Sequence, residues 1–344
     1  MNVDKDSIIL GIESSCDDTS AAVLINGVMY SNVTANQSIH QKYGGVVPEL
    51  ASRAHQENIV PVVSAALKEA NVSVSDLTSI AFTRGPGLLG SLLVGTSFAK
   101  SLSLSLNIPL IEVHHMKAHI HAHFIKEKKE DKPTPKFPFI CLTVSGGHTQ
   151  IVWVENPLQM EIIGSTIDDA VGEAFDKAGK ILGLGYPAGP IIDQLSKKGN
   201  NKKFDFTYPK AGEFNYSFSG LKTQFLNFIR KNEQKDKNFT KDNIHDICAS
   251  YQSHLVSYLL KNLEKAIKMH PCKDIALAGG VSANLHLRKE FDKLGKSLGR
   301  NTFVPKISYC TDNAAMIAMS GKFMEEKGVF ADLSTSASAR IPMN

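Results

Sequence analysis

Five of the twelve histidines fall between His114 and His123. His115 and His119 stand four apart, which on a helix puts both imidazoles on one face. Metal-binding helices offer two nitrogen ligands to one ion in this way. His123 continues the same face as a third candidate, and a carboxylate from elsewhere in the chain is the other. Two histidines and a carboxylate with open positions suit iron(II), zinc or manganese. A merely polar helix end would carry the same residues.

Two turns have the composition of a phosphate cradle. Ser145-Gly146-Gly147-His148-Thr149 separates the apolar runs Phe139 to Val144 and Ile151 to Val154. Glycines allow close approach, and successive N–H groups can wrap a phosphate, although a plain hairpin has the same signature. Glu13-Ser14-Ser15-Cys16-Asp17-Asp18-Thr19-Ser20 holds the matching place after Ile8 to Leu10. There Asp17 and Asp18 could orient a cation or a proton, or Asp18 or Thr19 could simply cap. Gly279-Gly280-Val281-Ser282-Ala283-Asn284 follows a strand and opens a helix, whose N-terminus favours a phosphate. Asn284 could read a hydroxyl, and an ordinary strand-to-helix turn is the alternative. Asp312, at another helix start, is either an N-cap or the carboxylate that completes the metal site. Asp168 to Lys177 reads as a helix carrying four acids, with Asp169, Glu173 and Asp176 on one face. The Gly183 to Pro190 loop behind it allows a ligand close to the backbone.

A duplicated scaffold would position these residues. Ser7 to Tyr30 and Phe137 to Ile163 each run strand, turn, strand, turn, strand, then mostly helix, which points to a repeated α/β domain. Asn26-Gly27 marks a hairpin. Between the copies, Val46 to Asn71 has helical periodicity, and Leu77 to Thr83 and Ile108 to Val113 read as strands. Leu88 to Leu106 reads as an apolar helix that should be buried. Lys126 to Pro138 is charged and proline-containing, as a linker would be. Lys241 to Met269 is helical, Ile275 to Ala278 is a strand, and a final helix starts near Asp312.

The 344 residues leave room for two domains. No apolar run is read as long enough to span a bilayer, and the start has neither a signal-peptide core nor a transit-peptide look. The cytoplasm is therefore the expected location. Five scattered cysteines without a C-x-x-C pair read as reduced thiols and argue against a zinc–thiolate site. A net charge of +4 permits a polyanionic partner without demonstrating one.

In order along nearly the whole chain, these segments resemble the tRNA N6-adenosine threonylcarbamoyltransferase family. The matching pieces are Gly11 to Ser20, Val47 to His55, Gly85 to Leu88, His115 to His119 and Ser145 to Gln150. They continue with Asp168 to Pro190, Phe218 to Thr223, Gly279 to Asn284 and Thr311 to Ala315. The resemblance implies an α/β fold of two actin-like, ribonuclease-H-like lobes with the active site in the cleft between them. Residues 1–125 with about 312–344 would form the first lobe. Residues from about 137 to 311 would form the second, with a loop-rich and helical insert, and 126–136 would be the linker.

It further implies that His115, His119 and Asp312 hold one divalent metal per subunit, iron(II) first and zinc second. Thr143, Val144, Ser145, Gly146, Gly147, Asp176, Gly189, Asp193 and Asn284 would bind threonylcarbamoyl-AMP. Its threonylcarbamoyl group would pass to N6 of adenosine 37 in tRNAs reading codons that begin with A, releasing AMP. No general base stands out; Asp17 and Glu13 are the candidates.

The chain departs from the family's pattern at three places. Lys117-Ala118 stand where bacterial relatives often have Glu-Gly, Ala188 stands where a glycine is usual, and Thr143 replaces a metal-binding tyrosine of archaeal relatives. The last points to the bacterial or organellar branch. Bacterial members act with a degenerate paralogue, as a heterodimer, and with a small P-loop ATPase; no membrane partner is implied. The alternative is an ATP-dependent small-molecule kinase or carbamoyltransferase on the same actin-like fold, which leaves the histidine helix unexplained. A metallopeptidase would need a glutamate inside His-x-x-x-His, and positions 116 and 117 are Met and Lys.

Overall fold

In the computed structural model, which describes residues 6–128, 132–209 and 211–343, the apolar runs become two separate sheets. The chain divides into two units. The first comprises Met1–Thr134, Asn156–Met160 and Pro305–Asn344. Its strands are β1 (Ile8–Glu13), β2 (Asp18–Ile25), β3 (Val28–Asn36), β4 (Ser79–Gly85), β5 (Leu110–His114) and β6 (Lys126–Glu127). They lie in the order β5-β4-β1-β2-β3-β6. β1, β2 and β3 form an antiparallel meander, while β4 runs parallel to β1 and β5 parallel to β4. Asn26 and Gly27, at φ 50° and 80°, supply the left-handed pair that a tight hairpin requires.

The helices of this unit are α1 (Pro48–Ala70), α2 (Leu89–Leu106), α3 (His115–His121) and, at the end of the chain, Ala314–Glu325. Both sheet faces are covered, which is why the strands read as continuous apolar runs. Leu10 and Ile12 point to the face packed by Ile59 and Val63 of α1. Ile9, one residue out of phase, points to the face packed by the last helix through Ile317 and Ala318.

α2 departs from the expectation. It buries the narrow stripe Ser91, Leu92, Gly95, Thr96, Ala99 and Ser103, and leaves Leu89, Leu93 and Leu104 exposed. Contrary to the reading that no apolar run is long enough, α2 is the one described helix that could cross a membrane by length and composition. Its serines break the apolar run in the sequence without lowering the helix average far enough.

The second unit comprises Pro135–Glu155 and Glu161–Val304. Its strands are β7 (Phe139–Val144), β8 (Thr149–Val154), β9 (Met160–Ser165), β10 (Asp274–Ala278) and β11 (Asn301–Phe303), in the order β11-β10-β7-β8-β9. β7 and β8 are antiparallel, β10 is parallel to β7, and β11 is parallel to β10. This repeats β5-β4-β1-β2-β3, strand for strand. Its helices are α4 (Val171–Ile181), α5 (Ala188–Ser196), α6 (Ser219–Glu233), α7 (Phe239–Met269) and α8 (Leu285–Ser297). Tyr251, Leu255, Leu259 and Leu263 recur every fourth residue along α7 and form the centre of this unit's core.

The helix expected over Asp168 to Lys177 begins only at Val171. Asp168 instead accepts hydrogen bonds from the N–H groups of Phe218 (2.7 Å) and Ser219 (3.2 Å), at the head of α6. Of the expected linker 126–136, Lys126 and Glu127 pair with β3, and residues 129–131 lie outside the described residues.

Candidate functional site

β5 ends at His114 and α3 starts at His115, so the first histidine of the pair sits at a strand-to-helix corner. His119 follows one turn later, and the two rings meet edge-on with centroids 4.7 Å apart. Asp312 comes from the turn before the last helix. That helix is capped by Asn313, whose side chain accepts from Met316 N (3.0 Å). Capping therefore does not occupy Asp312. Its Oδ1 lies 3.4 Å from His115 Nε2 and 3.2 Å from His119 Nε2. The three ligand atoms all lie within 4.8 Å of one another. His123 is buried but is not part of this cluster.

His119 is 1% exposed, and neither ring nitrogen has a hydrogen-bond partner, its approach to Asp312 being out of line for one. An orphaned buried imidazole is costly. A cation bound between the three groups removes that cost at Nε2, the nitrogen facing Asp312, so the residues fit a metal ion. Electrostatics agree. Burial alone would raise the Asp312 carboxyl, but the two imidazoles hold it far below the usual range. Burial would lower His115, yet Asp312 and Glu13 raise it well above an ordinary histidine.

Glu13 ends β1 and is fully buried. One of its oxygens accepts from Ser15 N (2.5 Å). The other accepts from Thr83 Oγ1 (2.7 Å) and lies 3.1 Å from His115 Nδ1. A carboxylate behind a ligating histidine fixes its tautomer and ring orientation. This role was missed in the sequence, where only the position of a charged residue closing an apolar strand hinted at it. His55 is the second missed residue. Its Nδ1 meets Thr19 Oγ1 (2.7 Å) and its Nε2 meets Cys16 O (3.0 Å), which pins the β1–β2 turn from α1. Asp18 is bound by Asn36 Nδ2 (2.7 Å). Burial, then the charges of Asp17 and Asp312, push its carboxyl up to about 7. Burial, then the same two charges, push the neighbouring Cys16 thiol far up.

In the second unit the β7–β8 turn closes on itself. Ser145 N donates to His148 O (2.8 Å), and His148 N donates to Ser145 Oγ (3.1 Å). Gly146 and Gly147 are exposed, and a Cβ on either would meet nothing within 4 Å. Thr143 and Val144 are buried in β7, backbone included. Gly279 packs against Val144, where a Cβ would lie 2.4 Å from its carbonyl oxygen. Asn284 caps α8 by accepting from Leu287 N (2.9 Å) and donates to Gln252 Oε1 (2.7 Å). Asp193 Oδ2 accepts from Leu285 N (3.4 Å) at the same helix start. Asp176 accepts from Ala188 N (2.8 Å), next to Gly189, and burial raises its carboxyl. The residues expected to hold the substrate thus follow one another through contacts within this unit.

A family model for tRNA N6-adenosine threonylcarbamoyltransferase matches residues 28–319. The chain is 57% identical over 340 residues to the tRNA N6-adenosine threonylcarbamoyltransferase of Riemerella anatipestifer, covering 99% of each chain. It is 56% identical over 337 residues to the protein of the same name from Porphyromonas gingivalis, covering 98% of this chain and 99% of the relative. Among solved structures it is similar to T. kodakarensis HypF, with a TM-score of 0.63 at 14% identity over 94% of this chain and 48% of that one. It is also similar to component A of Acidaminococcus fermentans (R)-2-hydroxyglutaryl-CoA dehydratase, with a TM-score of 0.51 at 15% identity over 92% of this chain and 98% of the other. At those identities the likeness speaks to the fold alone, an actin-like α/β fold with two sheets.

Proposed function

The chain belongs to the tRNA N6-adenosine threonylcarbamoyltransferase family, and on that premise we propose the following reading of its sites. The protein transfers the threonylcarbamoyl group of threonylcarbamoyl-AMP to N6 of adenosine 37 in tRNAs reading codons that begin with A. The observation that carries this reading is the His115–His119–Asp312 cluster, with both imidazoles buried, in a chain 57% identical along its length to a relative of that name. A small-molecule kinase would have no use for that cluster.

The substrate is a mixed anhydride and already activated, so no covalent enzyme intermediate is needed. N6 attacks the carbamoyl carbon, the bond to the phosphate oxygen breaks, AMP leaves with the electron pair, and N6 gives up a proton. His115, His119 and Asp312 would hold a divalent ion, iron(II) in the first place and zinc in the second, which supplies Lewis-acid polarisation when bound. Glu13 favours the His115 tautomer with its proton on Nδ1, leaving Nε2 free to ligate. Both Glu13 oxygens are in use, which favours orientation over proton transfer. Asp17 is then the carboxylate left to take the proton. The Ser145 hydroxyl, the N–H groups of Gly146 and Gly147 and the start of α8 would carry the phosphate charge. Asp176, Gly189, Asp193 and Asn284 would hold the nucleoside.

The partners are tRNA, a degenerate paralogous subunit and a small P-loop ATPase. The exposed apolar side chains Val60 on α1 and Leu89, Leu93 and Leu104 on α2 support a protein partner. A partner there would also give α2 a role outside any membrane, with the cytoplasm as location. The test combines the chain with threonylcarbamoyl-AMP, accessory proteins and unmodified tRNA, followed by nucleoside analysis. N6-threonylcarbamoyladenosine is the expected product. Undiminished product from the double variant His115→Ala, His119→Ala would sink the metal role.

A further inference from the structure

The segment after the last helix is held as a loose tail would not be. Ala331 N donates to Leu110 O (2.7 Å) and bridges to the outer edge of β5. Ser338 N donates to Arg84 O (3.0 Å), Gly87 N donates to Ala339 O (3.3 Å), and Arg84 Nε donates to Ser336 O (3.2 Å). Met343 is buried. The track requires Gly85, whose φ is +152° and where a Cβ would lie 2.0 Å from Ser338 O. Near its end the tail meets His114, with Ile341 O 3.2 Å from Nε2.

His114 immediately precedes the helix that carries both histidines of the metal centre. Its Nδ1 accepts from Met116 N (3.2 Å) and Lys117 N (3.4 Å), which caps α3. A neutral imidazole that accepts at Nδ1 carries its proton on Nε2. That N–H then donates to Ile341 O. One tail carbonyl therefore selects the tautomer that can cap. α3 has only seven residues, too few to be stable without outside support.

We propose that the C-terminal segment 336–343 is a strap that works through His114, a positioning residue, to keep α3 in the register that presents His115 and His119 together. The proposal rests on the reading of that cluster as a metal centre. Its central element, the coupling between tail and His114, can be measured with no metal present.

The test compares the full chain with one lacking residues 336–344, each with His114 and with His114→Asn. Asparagine offers an acceptor oxygen at the N-cap without any tautomer to select. Three readouts are taken: histidine ring 15N shifts, titration with cobalt(II) followed by visible absorption, and the thermal unfolding midpoint. Truncation is expected to remove the Nε2-protonated signature of His114 and to weaken cobalt binding about tenfold, as losing a second-layer support typically does. In the His114→Asn background the same truncation is expected to change binding less than about twofold, because the two changes act through one contact. Equal loss in both backgrounds, or a His114 signature that ignores truncation, overturns the strap. If no variant binds cobalt while the His114 signature still follows the tail, the metal reading fails and the coupling stands.

Discussion

The β1–β2 and β7–β8 connections hold the same place in two sheets of the same order, yet they are built in opposite ways. The first is filled by its own side chains. Glu13, Ser14, Ser15 and Thr19 are buried, and each has a partner: Ser14 Oγ donates to Ser91 O (3.0 Å), and Glu13 reaches His115. The second ties its ends to each other and to the start of α4, and leaves the side-chain positions of Gly146 and Gly147 open. One backbone motif thus serves two ends. A turn packed with its own carboxylate and hydroxyls orients a neighbouring ligand residue, and a turn emptied of side chains can receive a ligand itself. Of the two expected phosphate cradles, the proposed reading keeps the second turn for the phosphate and gives the first, filled by its own side chains, to the support of His115.

Removing the carboxylate from the cluster that the first turn supports through His115 should have the largest effect. Asp312→Ala takes the carboxylate from the cluster and is expected to lower kcat/KM about a thousandfold, roughly 4 kcal/mol of transition-state stabilisation. Metal analysis should fall with it. Gly146→Val should leave metal content unchanged and raise the KM for the adenylate instead. If both variants lose metal, the two turns do not divide the work as described. Next, Glu13→Gln should weaken metal affinity by about 10- to 100-fold, whereas no substitution in Ser145 to His148 should alter it.

A third pair separates filled from open by stability. A Cβ at Gly87 would lie 2.5 Å from Ser15 O, so Gly87→Ala should cost about 1–3 kcal/mol in denaturant melts. Gly147→Ala should stay within about 0.5 kcal/mol.

The smallest effect concerns pH. Burial lowers the pKa of His55, which pins the first turn. The unfolded chain therefore takes up the proton first as pH drops below about 6.5. The stabilisation is complete above that value and is lost as pH falls through the lower folded-state pKa. Hydrogen exchange at β1–β2 amides, corrected for its intrinsic pH dependence, should rise in that window, and His55→Gln should abolish the rise.

Local patterns were legible and long-range pairings were not. The spacing of His115 and His119 is a property of one helical turn, so their placement side by side could be read directly. Asp312 stayed open between cap and ligand because the answer depends on its neighbour Asn313 taking the cap and on a pairing across nearly two hundred residues. Glu13 is only one of two candidate bases in the sequence, because its partners, Thr83 and His115, lie on other elements. The acids at Asp168 and Asp169 looked helical by spacing, but the head of α6 needed an acceptor and took Asp168. α2 looked like a core helix because composition does not reveal that only its small-residue stripe faces the sheet. The two sheets were legible, since alternating burial on both faces leaves continuous apolar runs and Asn26-Gly27 leaves a turn signal. Their strand order came from the fold.

The first unit is discontinuous, and this has a consequence for biosynthesis. Its sheet and α3 lie within the first 134 residues, while Asp312, the helix over Ile9 and the tail that meets His114 come from the last forty. A ribosome therefore releases the whole second unit before the first can close. Until that later segment is made, the part made first lacks both the helix that covers Ile9 and the carboxylate that joins His115 and His119.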